Sequence, residues 1–148
     1  MNRTIQHTIF YAHAPEIVWN YLTQSELMAE WLMENDFRPQ PGHEFQFRIR
    51  PIPDFEFDGI VHCKVLEIIP HKRLSYSWKG GPGDGKINMD SVVTWTLTAK
   101  EGGTEVSLIH SGFIENQGIF NSMREGWLKN MRKIAALISP GIQSDSKG

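Results

Sequence analysis

The chain is poor in several things, and each shortage excludes something. It has one cysteine, Cys63, in 148 residues. No intrachain disulfide can form, so a reducing compartment, the cytoplasm, is expected. No apolar run approaches the ~18 residues of a bilayer span, so no membrane span is expected. The segment from Met1 to Gln6 has no apolar stretch of the signal-peptide kind. Net charge is −2 and the basic residues are scattered, so nucleic acid is not an expected partner. The six histidines, His7, His13, His43, His62, His71 and His110, show no i,i+3 or i,i+4 pairing. A metal site needs three or four convergent ligands, so no metal is expected. The glycine-rich stretch 80–85 lacks the Gly-Lys-Ser/Thr that holds phosphates, so neither a nucleotide nor any other cofactor is expected.

Large aromatic side chains, by contrast, are present in every major segment. The chain has five tryptophans. Trp19 and Trp31 flank a short helical stretch that begins at Pro15, a favoured first helical residue. There Val18, Tyr21 and Leu22 form an apolar stripe. Ser25 reads as the N-cap of a second short helix ending near Trp31. Trp78 and Trp95 sit in alternating runs. Leu74, Tyr76 and Trp78 share one face, as do Ser91, Val93, Trp95 and Leu97. Ile5, His7 and Ile9 mark a first strand. Phe45, Phe47 and Ile49 alternate with Glu44, Gln46 and Arg48 between turns at Pro39–Gly42 and Pro51–Asp54. The run from Asp58 to Ile69 is mixed on both faces, which predicts a bulge. Glu101-Gly102-Gly103 turns a hairpin into a strand with Val106, Leu108 and His110 on one face.

The last element, from about Gly118 to Ile138, repeats Phe120, Met123, Trp127, Met131, Ile134 and Ile138 at helical spacing. At ~1.5 Å per residue it spans roughly 30 Å, enough to cross a whole sheet. Ser139-Pro140-Gly141 is a stop signal, and 140–148 reads as a flexible tail. The expected architecture is α+β in a single domain, 1–139. A curved antiparallel sheet wraps the long C-terminal helix, and two short helices complete the fold.

These residues also resemble a family. Ala14-Pro15-x-x-Val18-Trp19-x-x-Leu22-Thr23 is followed by Leu27-x-x-x-Trp31. Then come Val65-Leu66-Glu67-Ile68-Ile69-Pro70-x-x-Arg73-Leu74-x-Tyr76-x-Trp78 and Val93-x-Trp95-x-Leu97. Gly103-Thr104-Glu105-Val106-x-Leu108-x-His110-Ser111-Gly112-Phe113 and Gly126-Trp127 complete the set. The chain resembles the activator of heat-shock-protein-90 ATPase-like family, within the START-related and birch-allergen-like superfamily. The resemblance covers nearly the whole chain and implies a helix-grip fold with a cavity between sheet and helix. It does not fix a function, because the superfamily hosts lipid carriers, receptors and cyclases.

The candidate site is the aromatic set. Trp31, Phe37, Phe45, Phe47, Tyr76, Trp78, Trp95, Phe113 and Trp127, with Met123, either line one volume or simply fill the core. The family shape favours a partial cavity. Tyr76, Ser91 and His110 are the inward polar groups. For His110 the plain alternative is a buried ring satisfied by a backbone carbonyl. Cys63 reads as structural, because adjacent His62 points to the other face of a strand. No nucleophile or acid/base pair is legible, so no catalytic residue is assigned. The leading expectation is a binding protein for a small hydrophobic molecule, flat aromatic or lipid-like. The alternatives are a modulator of a chaperone ATPase in a stress response, and a cavity enzyme of the cyclase or hydrolase type.

Overall fold

The computed structural model describes residues 2–115 and 117–138. The expected stop at Ser139 and the tail 140–148 lie outside the described residues. The chain runs through β1 (Asn2–Tyr11), α1 (Pro15–Thr23), α2 (Ser25–Trp31), β2 (Glu34–Asn35) and β3 (Glu44–Arg48). A 3-10 turn (Pro53–Phe55) leads to β4 (Ile60–Ile69), β5 (Arg73–Gly80), β6 (Met89–Lys100), β7 (Gly103–Ile114) and α3 (Gln117–Ile138). The seven strands form one antiparallel sheet in the order β1-β7-β6-β5-β4-β3-β2. This is the expected α+β helix-grip architecture. Among the described residues, no helix is long and apolar enough to cross a membrane.

Alternation decides which face is inside. Val61, Cys63 and Val65 of β4, Leu74, Tyr76 and Trp78 of β5, Val93, Trp95 and Leu97 of β6, and Val106 and Leu108 of β7 are all buried. The expected bulge is in β4: its register against β5 shifts between Val65 and Glu67. Leu66 is the residue stepped over, and it is half exposed. The hairpin at 101–102 pairs Lys100 with Gly103 and places Gly102 at φ 82°, where a Cβ would be strained.

Three expectations shift on contact with the structure. Ser25 is the first residue of α2 rather than its cap. Gln24 ends α1 and starts α2, and the Ser25 hydroxyl donates to the Asn35 carbonyl 2.8 Å away, tethering β2. Strand β3 stops at Arg48, so Ile49 leaves the inner face and is half exposed. Phe113 lies one residue before inward Ile114 and out of phase with His110. It pairs with Asp90, is only half buried and stays out of the core.

Strand β1 holds the long helix by a spacing match. Arg3, His7 and Tyr11 recur every fourth residue, on one face of the strand. Arg3 donates to the Gln117 side-chain oxygen. His7 donates to the Arg124 carbonyl at 2.7 Å, and Tyr11 to the Met131 carbonyl at 2.6 Å. Four strand residues rise ~13 Å and seven helical residues ~10.5 Å, so successive strand side chains meet alternate turns of α3. The short helices are fixed by the Trp31 indole N–H, which donates to the Tyr21 carbonyl at 2.7 Å.

Gly126 lies inside α3, and a Cβ placed there would meet nothing within 4 Å. Glycine in a helix interior costs about 0.5–1 kcal/mol relative to alanine. Gly126→Ala is therefore expected to raise stability by about that amount, read as a higher urea midpoint at unchanged m-value.

Candidate functional site

The centre of the molecule is a row of rings. Trp31 of α2 meets Trp95 of β6 edge-on at 5.7 Å between centroids, and Trp95 meets Trp127 of α3 at 5.7 Å. Trp127 meets Trp78 of β5 at 5.4 Å, and Trp78 meets Phe47 of β3 at 5.3 Å. Phe45 and Phe37 continue the row at 5.4 and 5.0 Å. All of these rings are buried. Edge-to-face pairs at such distances add to the gain from apolar burial.

A polar thread crosses this apolar mass. The Trp127 indole N–H donates to His110 Nδ1 at 2.9 Å. Nδ1 is thus an acceptor, and the proton of the neutral ring sits on Nε2. Nε2–H donates to Ser91 Oγ at 2.7 Å, and the Ser91 hydroxyl donates to the Trp78 carbonyl at 3.0 Å. Each donor has one acceptor, and the chain of bonds joins α3 to β7, β6 and β5. His110 is satisfied by two side chains rather than by the backbone carbonyl that the sequence made the plain alternative. Gly112 makes room for this thread. Its φ is 138°, and a Cβ there would lie 2.8 Å from the Asp90 carbonyl oxygen and the Ser91 Cα.

Burial pushes His110 down to about 3. Burial also raises the Tyr76 phenol, against the lowering effect of the Trp95 N–H that donates to it at 3.0 Å. The Cys63 thiol is raised by burial first and by the charge of Asp36 second. It is therefore a protonated, unreactive core residue. Among the described residues, no group of three or more His, Cys, Asp or Glu is placed to hold a metal ion.

The open space lies elsewhere. A cleft of about 160 Å³ opens beside the N-terminal half of α3. Ile119, Ser122 and Met123 form its helix wall. Ile49, Ile52, Phe55 and Phe57, from the β3–β4 connection, form the opposite wall. Val61, Trp78 and Met89 from the strands, with Met33 and Asn88, close it. The outer wall is tied down by Asn88, whose side-chain amide donates to the Glu56 carbonyl at 3.0 Å.

Of the residues singled out from the sequence, only Trp78 and Met123 line this cleft. Trp31, Phe37, Phe47, Tyr76, Trp95, His110 and Trp127 are packed into the core. Phe45 is also core, and it borders a separate, polar hollow on the other face of the sheet, beside Gln46, His62 and Lys64. The lining residues that sequence reasoning missed include Met33, Ile49, Ile52, Phe55, Phe57 and Met89. One signal was available: Ile52, Phe55 and Phe57 are large apolar residues in a proline-bounded turn, where alternation offers them no core face.

A seven-stranded sheet gripping a C-terminal helix, with a cleft at one end of the grip, defines a helix-grip protein. Residues 12–139 match the family described as Activator of Hsp90 ATPase homolog 1-like protein, and the chain belongs to that family. Protein MLL2253 from Mesorhizobium loti is similar, with 35% identity over 93% of this chain and 98% of that one, at a TM-score of 0.82. DynU16, a protein in the dynemicin biosynthetic locus, is 21% identical over 93% of this chain and 48% of its own, at a TM-score of 0.74. The Aha1 dimer from Colwellia psychrerythraea is 20% identical over 92% of this chain and 96% of that one, also at 0.74. The last two likenesses show the fold alone. No curated protein matches the sequence.

The His110 geometry makes a prediction about pH. Its folded value, about 3, lies below its ordinary 6.5. The unfolded chain therefore binds the extra proton first as pH falls. The stabilisation is complete above about pH 6.5 and is lost progressively towards pH 3, at up to ~1.4 kcal/mol per pH unit. His110→Gln, which removes the titration, is expected to have a flatter stability profile than the parent between pH 6.5 and 5. Parallel profiles over that interval would contradict the assignment.

Proposed function

We propose that the protein binds a small, largely apolar molecule in the cleft beside the N-terminal half of α3. The observation that carries this reading is the contrast along one helix. Trp127, Met131 and Ile134 are buried in close contact, whereas Ile119, Ser122 and Met123 border open space. An apolar cavity of ~150 Å³ holds one benzene-sized ring. At about 160 Å³, the cleft takes a single ring or the end of an acyl chain, with the remainder of a larger guest projecting outward. Three of its lining residues are methionines, Met33, Met89 and Met123, whose flexible thioethers adapt to flat guests. The single buried cysteine fits a cytoplasmic protein.

Two other readings have less support. A cavity enzyme needs a titratable group at the cleft. None of its lining residues titrates near neutrality, and His110, which is strongly shifted, has both nitrogens engaged in the core. A chaperone modulator needs a contiguous apolar surface. Among the described residues, the exposed large apolar ones are spread over β1 (Phe10), α1 (Ile17), β4 (Leu66, Ile69) and loops (Ile49, Ile87).

The reading is tested by following methyl signals of Met33, Met89 and Met123 while titrating with toluene. Saturable shifts are expected in all three. Ser122 is exposed, so Ser122→Trp places a ring over the cleft at little cost to folding and should abolish the shifts. No methyl shift at saturating toluene, or undiminished shifts in Ser122→Trp, would count against it.

A further inference from the structure

Sulfur is unevenly placed in this molecule. Five of the six methionines fall among the described residues. Met28 of α2 and Met131 of α3 are 0% exposed. The other three, Met33, Met89 and Met123, line the cleft. Met89 is 5% exposed, whereas Met33 and Met123 are only half-buried. Among the described residues, the two methionines open to solvent therefore stand in the wall of one cleft. The single thiol is no competing target. Cys63 is buried, and burial keeps it protonated, whereas peroxides attack the thiolate.

Resting on the binding reading of the cleft, we propose that Met33 and Met123 are sites of reversible oxidation, and that a peroxide acting on them closes the cleft to apolar guests. The thioether sulfur gives an electron pair to one oxygen of hydrogen peroxide, and the O–O bond breaks. The departing hydroxide takes the proton from the new S–OH group and leaves as water. The sulfur is oxidised to a sulfoxide and the peroxide is reduced. A flexible apolar side chain becomes a polar one. The cleft wall is a poor host for that oxygen. Most of its members are apolar, and the Asn88 amide is already committed to the Phe55 and Glu56 carbonyls. The sulfoxide therefore keeps water, and an apolar guest must strip that water to enter. Sulfoxide reductases restore the thioether, so the change is a switch rather than a loss.

The test treats the parent chain with hydrogen peroxide and follows each methionine by peptide mass spectrometry. Met1 lies outside the described residues and is scored apart. Met33 and Met123 are expected to take up oxygen about tenfold faster than Met28 and Met131, which burial shields. Saturating toluene is expected to slow both cleft sites. Met28 or Met131 reacting as fast as Met33 and Met123 would overturn the proposal. So would toluene that binds, judged by the Met89 methyl signal, without slowing either site, because the sulfurs would then not face the guest. Toluene affinity is next read from the Met89 methyl before and after conversion of Met33 and Met123. Oxidation is expected to weaken it about tenfold in the parent. The double variant Met33→Leu/Met123→Leu cannot form those sulfoxides. Its own affinity, whatever the starting value, is expected to be the same before and after peroxide. An unchanged affinity in the oxidised parent, or an equal loss in the double variant, would overturn the regulation and leave the binding reading intact. If toluene moves no methyl signal in the untreated parent, the binding reading falls and the regulation with it. The reaction rates and the affinity of the oxidised parent decide the matter even if the double variant fails to fold.

Discussion

The hydrogen bond from Trp127 to His110 is the contact on which the rest of this fold depends. It joins the one long helix to the sheet at the centre of the apolar interior. It also sets the His110 tautomer, which fixes the direction of the bonds through Ser91 to the Trp78 carbonyl. A polar thread through a core is favourable only when every member is satisfied. Here every step has one donor and one acceptor. Removing Trp127 takes away three ring contacts, to Trp78, Trp95 and His110, and leaves an imidazole nitrogen buried without a donor.

From that clamp the molecule divides into a solid half and an open half. Towards the C-terminal end of α3, Met131 and Ile134 are fully buried, and the Tyr11 hydroxyl caps the Met131 carbonyl. Towards its N-terminal end the helix faces the β3–β4 connection, and there the cleft opens. Trp78 belongs to both halves. Its backbone carbonyl ends the polar thread, and its ring forms part of the cleft wall. A guest in the cleft would thus rest on a residue whose backbone is fixed through the same thread that holds the helix, which is the rigid support a selective site needs.

Much of this could be read from residues alone. The alternation of Leu74, Tyr76 and Trp78, and of Val93, Trp95 and Leu97, assigned the inner face correctly because a half-buried strand permits no other phase. The mixed pattern of 58–69 pointed to the bulge now located between Val65 and Glu67. The same rule, carried four residues past His110, would have put Ile114 on the inner face and Phe113, one residue before it, on the outer face. The site was less legible. Composition reveals that many rings are inside, but not whether they touch. Here the row from Trp31 to Phe37 packs ring against ring, edge to face or tilted, and the space lies where apolar residues of a turn meet the start of a helix. That is a property of how elements dock, and no local spacing encodes it. The expected Ser25 cap fails for a similar reason: its hydroxyl is claimed by the Asn35 carbonyl, ten residues away.

The most direct measurement is the urea unfolding of Trp127→Ala beside the parent chain. Replacing a buried tryptophan by alanine typically costs ~3–5 kcal/mol, a large share of an ordinary stability of ~5–15 kcal/mol. The account predicts a loss in that range, with a much lower midpoint. A midpoint unchanged from the parent would mean that the helix is held by other contacts, and the clamp would not be what this fold depends on.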